Sequence, residues 1–474
     1  MDKTKSNIVL AAAALSGFAS TFAASSINIA LKEIEAAPVD GGLGLSTTML
    51  AWTTLVYVLG AGALLMPAGR LADMFGRLRV FLIGVAGFTV FAFASALANT
   101  GPMLIAMRAL QGLSVSAVFA TNIALSALSQ PPGKSGRGLG VLTAMVYLGG
   151  MTGPLIGGPI VSYLGWRFLL GLVGVVGLLI LALSLSRLRG IDWKEPREKP
   201  FDRLGAAIWF FAMPALIMGF TLLPDLLGIL IVVAGALGLA VFLWQELRAP
   251  DPLLSITLLR RNHLFASSNT AALINYSANY ALMFLASLYL RYNLDLDPTR
   301  AALVLTPGVA AQTFISPFAG RLADRIQPRL IVATGMTLCM LGLLSFAFLA
   351  EDSSYWHIIT TLCVLGLGFG LFASPVAHMA MSSVEKSRAN MASATLATTR
   401  VAGQGVSLGI AGLVMSLVIG HEIDGDNPAD VANLLTSVRV SFAIFAGLCA
   451  LGLLTVLLGT RRPGHAESDT AGTE

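Results

Sequence analysis

The sequence predicts an all-α integral membrane protein of about fourteen transmembrane helices, on three observations. Hydrophobic residues make up 56% of the 474 and charged residues only 12%, about half the charged share of an ordinary soluble chain. Mean hydropathy is accordingly high, at +0.79. The apolar residues also fall into runs of about 20, the length that crosses a hydrocarbon core about 30 Å thick. Finally, the charges collect between those runs. Fourteen runs use up the chain, which leaves no space for a compact nucleotide-binding, protease or nucleic-acid domain. The pI near 9.2 then reflects basic residues in short interhelical loops, and no nucleic-acid partner is expected.

The first span runs over 7–31. Lys3 and Lys5 precede it, and its apolar stretch exceeds the roughly 7 to 15 residues of a signal-peptide core, so it reads as an uncleaved span. Charge or Gly/Pro punctuation bounds the next five at about 48–69, 80–99, 102–127, 138–162 and 166–186. After a charged stretch come two more at about 204–224 and 226–246, then six at about 264–290, 299–319, 330–349, 355–381, 391–419 and 437–459. The N-terminus, the segments after even-numbered spans and the C-terminus together hold 23 of the 30 Lys and Arg, which places both termini in the cytoplasm. A cell inner or plasma membrane is the expected location. Cys339, Cys363 and Cys449 lie inside apolar runs without paired spacing and read as small packing residues.

The chain echoes itself. Gly69-Arg70-Leu71-Ala72-Asp73 follows span two, and Gly320-Arg321-Leu322-Ala323-Asp324 follows span ten. A parallel repeat of two six-helix bundles with a two-helix insert between them accounts for the spacing. The expected divisions are an N-terminal bundle over 1–186, a cytoplasmic linker over 187–203, the insert over 204–247, a C-terminal bundle over 248–462 and a polar, disordered tail over 463–474.

Three segments carry chemistry. In the stretch from Gly69 to Arg79, Gly69 and Gly76 allow a tight turn, Asp73 is suited to cap a neighbouring helix end, and Arg70 and Arg77 mark the cytoplasmic side. A salt-bridged loop with a purely topogenic role fits the same residues. Arg108 lies inside span four, followed by Gln111 and Gly112. A guanidinium there costs about 2.5 to 3.5 kcal/mol on insertion scales, so it needs polar partners, whether at a functional site or among backbone carbonyls. Span five carries Gly149, Gly150, Gly153, Pro154, Gly157, Gly158 and Pro159, a density that permits close helix packing and a loosened backbone.

These segments resemble the major facilitator superfamily, in particular its 14-helix drug:proton antiporter branch, over essentially residues 1–462. Pro252 to Arg260, which looks like the branch's usual lead into the ninth helix, and Arg400 to Gly405 add to the likeness. The resemblance implies a conformational latch at Gly69, Arg70, Asp73, Gly76 and Arg77, with Asp324 in the second copy. That copy loses the match after its fifth residue, so the first is expected to matter more. It links Arg108 to proton transfer, and it associates Gly149, Gly153, Pro154, Gly157 and Gly158 with exporters that exchange substrate for protons.

The chain departs from that branch in span one, where Ala23 stands at the usual aspartate and Lys32 at the usual proline. No Asp or Glu falls near the bilayer midplane; the spans offer Arg108 and Arg400 instead, together with His378 near the end of span twelve. His378 titrates near neutrality and is a candidate proton carrier, or else an interfacial residue. Span nine presents Asn269, Asn275, Tyr276, Asn279 and Tyr280 at helical spacing, a polar face suited to a water-filled cavity. Asn28, Gln111, Asn122, Tyr147, Gln312, Arg400 and Gln404 are candidates for the same cavity, with interhelical hydrogen bonding as the alternative for each.

The function expected is a secondary active transporter that exports small amphipathic compounds by alternating access, with proton antiport as the coupling. The alternative is a uniporter or exchanger of anionic or neutral metabolites. No catalytic constellation, cofactor site or metal-ligand cluster is read from the residues, and an enzyme is not expected. The partners are a small-molecule substrate, the lipid bilayer and protons; nothing indicates an oligomeric state.

Overall fold

In hydrocarbon every backbone N–H and C=O must find its partner within the chain, which leaves helices as the economical way for segments of this composition to cross. The computed structural model describes residues 3–37, 41–45, 47–131, 134–187, 201–223, 225–249, 252–254, 256–296, 298–385, 388–419 and 427–458, and its regular elements there are all helical. Most of the expected linker and the whole of the expected tail lie outside the described residues.

The first six spans are built from α1 (Lys3–Glu35), α2 (Thr47–Ala63), α3 (Leu65–Phe75), α4 (Arg77–Ala96), α5 (Gly101–Leu128), α6 (Ser135–Leu164) and α7 (Trp166–Arg187). The hairpin α8 (Arg203–Thr221) and α9 (Leu226–Glu246) follows. After the short α10 (Ile256–Arg261) come α11 (His263–Asn279), α12 (Leu282–Tyr292), α13 (Pro298–Ala323), α14 (Pro328–Phe346), α15 (Tyr355–Ser382), α16 (Ala389–Val418) and α17 (Pro428–Leu458). Twelve helices are long and apolar enough to cross a membrane, and two bent pairs bring the number to fourteen. They coincide with the fourteen expected spans.

Three spans are less straight than expected, for local reasons. Span two bends by 46° between α2 and α3, because Pro67 has no N–H for the Ala63 carbonyl one turn earlier. The two parts of α6 that flank Pro154 are bent by 41°; the Pro154 side chain itself lies outside the described residues. Span nine breaks at Tyr280 and Ala281, where the Ala281 N–H donates to Ser407 Oγ of α16 at 2.9 Å.

Helix pairing repeats across the chain. The contacts α1–α6, α2–α5, α4–α5 and α4–α7 reappear in the second half as α11–α16, α13–α15, α14–α15 and α14–α17. Each set closes over its own apolar core, one around Phe81, Phe88 and Trp166, the other around Phe346, Phe442 and Phe445. Two seams join the halves, α6 against α13 and α3 with α5 against α16. The hairpin covers the second seam: α8 packs on α2, α3 and α16, with the Trp209 indole N–H donating to the Gly62 carbonyl of α2 at 3.3 Å.

Candidate functional site

Between the halves lies a cavity of about 740 Å³. It is lined from α1, α2, α5 and α6 on one side and from α11, α12, α13, α15 and α16 on the other. Asn28, Tyr276, Asn279, Tyr280, Gln312, Arg400 and Gln404 all line it, together with Asn122 and Tyr147. Asn28 and Tyr280 are exposed at one end. At the other, Leu139, Val376, Ala377 and Leu396 are buried and close the floor. The floor faces the end of the molecule where α1 begins and α17 finishes, called here the basic end.

Most of the wall is apolar, as ligand cavities are. Phe369 packs edge-on against Tyr276 and Tyr147, with ring centroids 5.3 and 5.9 Å apart, and the Tyr147 hydroxyl lies beside Tyr276 and Gln312. Arg400 is the one charged side chain of the lining among the described residues, with its Cζ 4.8 Å from the Phe119 ring centroid across the interface between halves. It stands eleven residues into α16, roughly 16 Å along the axis, and therefore near mid-membrane.

Three expected cavity residues are elsewhere. Gln111 is fully buried behind the wall, its Oε1 accepting from Arg108 Nη1 at 2.8 Å. Asn275 is also fully buried; it bonds with Asn279 and faces α14, beside Cys339. Both lie on the right helices but one face away from the axis. Asn269 likewise turns to α16, accepting from Thr399 Oγ1 at 3.3 Å. Phe119 and Phe369, which the sequence reading missed, carry no signal there because phenylalanines are common in any span.

Arg108 is fully buried and lies off the cavity, in the carbonyl-bonded setting that the sequence left open beside a functional one. Its Nε donates to the Thr53 carbonyl of α2 at 3.4 Å and its Nη2 to the Ala23 carbonyl of α1 at 3.3 Å. Its Cζ is 4.3 Å from the centroid of Tyr57, whose hydroxyl donates to the Ser20 carbonyl at 2.8 Å. One guanidinium thus ties three helices together, and Tyr57 separates it from the cavity that the ring lines. Hydrogen bonds from a charged donor contribute about 1.5–3 kcal/mol each. Arg108→Ala should therefore lower the unfolding midpoint by several degrees in a thermal melt in detergent. Equilibrium substrate binding by the folded fraction should stay within about twofold; a larger drop in affinity would return Arg108 to the substrate path.

Gly69, Arg70 and Asp73 close α3 at the basic end, where α3 packs on α16. Arg70, Asp73 and Arg77 are all buried, with Arg77 Nη2 3.8 Å from Asp73 Oδ1. Gly76 turns the chain between α3 and α4 at φ +106°, a conformation strained for any residue with a Cβ. Asp324, in the less well matched copy, reaches across to the other half. Its Oδ1 accepts from the Gly136 N–H at 2.8 Å and its Oδ2 from the Arg137 N–H at 2.9 Å. A second-half carboxylate thus caps the first turn of first-half helix α6, where Lys134 offers no side-chain cap. His378 lies beside this cap and off the cavity, its Nδ1 3.0 Å from Ser135 Oγ and 3.8 Å from Asp324 Oδ1.

The span-five glycines face α1. A methyl group at Gly149 would overlap the Phe18 carbonyl and Thr21 Oγ1, and one at Gly153 would overlap Ser25 Oγ. Gly157 continues this ridge against Ser26, and Gly158 comes near Ile29. Gly150 points instead into the cavity with nothing near it.

Comparison with known proteins adds to this geometry. The family model described as Major Facilitator Superfamily matches residues 10–408 and 268–474. The multidrug resistance protein Stp of Mycobacterium tuberculosis is 31% identical over 396 residues, covering 82% of this chain and 72% of that protein. The puromycin resistance protein pur8 of Streptomyces alboniger is 28% identical over 464 residues, covering 94% and 90%. Among solved structures, the human organic anion transporter MFSD10 (TETRAN) superposes with a TM-score of 0.63 at 15% identity, covering 96% of this chain and all of that one, a likeness of fold.

Proposed function

Because the chain belongs to the major facilitator superfamily and is a secondary membrane transporter, we propose that it exports small neutral or anionic amphipathic compounds by alternating access, in exchange for protons. The basic end faces the cytoplasm in this reading, as the distribution of Lys and Arg favours. The cavity opens alternately to either side as the two halves rock. Export agrees with relatives named for multidrug and puromycin resistance.

The observation that carries the substrate class is the charge of the cavity. Arg400 is its one charged lining residue, and no carboxylate lines it among the described residues. A permanent lipophilic cation there would meet uncompensated desolvation and like-charge repulsion. An anion would meet Arg400, and a neutral amphiphile would meet hydrogen-bonding groups on Asn279, Gln312, Tyr276 and Gln404. The test is purified protein in liposomes, with labelled anionic, neutral and quaternary compounds followed with and without a pH gradient. Neutral or anionic amphiphiles should move faster with the gradient, and ethidium or tetraphenylphosphonium should not move. Robust efflux of either cation overturns the substrate class. The absence of a cavity carboxylate also favours a second reading, exchange or uniport without protons; movement indifferent to the gradient would establish it.

A further inference from the structure

Proton exchange needs a group that gains and loses a proton, and the cavity wall offers no carboxylate among the described residues. The titratable side chains at the closed seam supply one. On α6, Gly136 and Gly140 let the backbone lie directly on α13 around Pro317 and Gly320. Asp324 then bonds the Gly136 and Arg137 amides, and His378 faces both Asp324 and Ser135. Asp324 and His378 belong to the second half of the chain and the α6 amides to the first. The seam is thus closed by an attraction between a carboxylate and the positive end of a helix.

We propose that His378 is the proton-binding group of the transport cycle and acts by unlocking this seam, so that protons and substrate occupy separate places. With the ring neutral, the second half presents one negative charge to the positive end of α6. Ser135 Oγ, 3.0 Å from Nδ1, is then in range to donate to it. Proton uptake by the ring makes the second half's contribution neutral and turns Asp324 towards an ion pair within its own half. Nδ1 can also no longer accept from Ser135. All three changes weaken the hold on α6, so protonation favours opening at the basic end. Of the elements packed on α15, the one ending beside Asp324 brings the only charged group in ion-pair range of His378 among the described residues, and α6 brings the Ser135 hydroxyl. Helices α5, α11, α14 and α16 place no titratable side chain in hydrogen-bond or ion-pair range of the ring among the described residues. Val376 and Ala377, just before His378, form part of the cavity floor. A positioned imidazole changes charge between about pH 5 and 8, the range a cell's proton gradient spans.

The direction suits antiport. A proton taken up from the open side releases the basic end, and its loss to a less acidic cytoplasm lets the Asp324 cap re-form. The proposal rests on the transport reading above, so its first test needs no substrate. Leu139→Cys on the cavity floor, in a chain whose native cysteines are replaced, is labelled by an impermeant thiol reagent applied only at the basic end. Because the thiolate reacts and its fraction itself falls with pH, labelling is read as its rate relative to a freely exposed cysteine labelled under the same conditions, and this ratio should rise about three- to tenfold from pH 8 to pH 5.5. The ratio should become independent of pH with His378→Gln and high at both values with Asp324→Asn. The same pH response in His378→Gln as in the parent overturns the proposal, as does no response in the parent. In liposomes, His378→Gln should lose pH-gradient stimulation of a neutral amphiphile while still passing it down its own gradient. Stimulation that survives this substitution overturns the role of His378 and leaves the transport reading standing; a parent that moves none of the test compounds overturns the transport reading, and the labelling still decides on the seam.

Discussion

Gly149→Val is expected to leave almost no transport-competent protein. The α1–α6 contact is the most extensive between any two helices of the molecule, and at Gly149 it is so close that a single methyl would overlap backbone oxygen of Phe18. Neither partner has slack, since Thr21 Oγ1 in the same place already donates to the Val146 carbonyl of α6 at 2.7 Å. Overpacking a core costs about 1–3 kcal/mol, and an overlap with backbone in the tightest seam belongs at the upper end. Size-exclusion profiles and thermal melts in detergent should show aggregated or early-melting protein, with uptake reduced at least tenfold. Gly150→Ala is the control: it adds the same kind of group one residue on, where nothing lies near, and should fold like the parent. Equal melting of Gly149→Val and the parent would mean that α1 and α6 do not meet as described.

Arg400→Ala should weaken binding of an anionic substrate by roughly 10- to 100-fold, the worth of a charge-assisted hydrogen bond at about 1.5–3 kcal/mol. A neutral amphiphile should lose far less. Arg400→Lys keeps the charge without the planar fork and is expected to fall between the two. Equilibrium binding to purified protein measures all three. A uniform loss across anionic and neutral compounds would indicate that Arg400 braces the two halves through Phe119, 4.8 Å away, and does not meet ligand. A picture in which aromatic faces hold a lipophilic cation would rest on Tyr276 and Tyr280, which line the cavity.

The fourteen crossings were readable because hydrocarbon thickness imposes a length and charge is costly between the ends. Which face of each helix turns to the axis was not readable to the same degree. Asn275 and Tyr276 are neighbours in sequence, yet one is fully buried towards α14 and the other lines the cavity. Arg108 and Arg400 look alike as guanidiniums inside spans. They part only when three helices close around the first and the two halves leave space around the second. The closed seam was hidden for another reason. The copy around Asp324 keeps only five residues of the repeated motif, and a helix cap needs only one carboxylate at one place, which leaves no longer pattern to read. His378 and Ser135, 243 residues apart, share no local pattern.

The α8–α9 hairpin gives the protein a front and a back within the plane of the membrane. Along the α6–α13 seam, large apolar side chains such as Phe314 and Phe318 are mostly exposed, with only the Arg321 guanidinium, 5.6 Å from the ring centroid, over Phe318 among the described residues. Along the α3–α16 seam, α8 and then α9 add two further layers, each a helix about 10 Å across. A compound dissolved in the lipid therefore meets two unlike shores around the same cavity. On one it is separated from the central space by a single line of contact between two helices; on the other it must go around a wall some 20 Å deep.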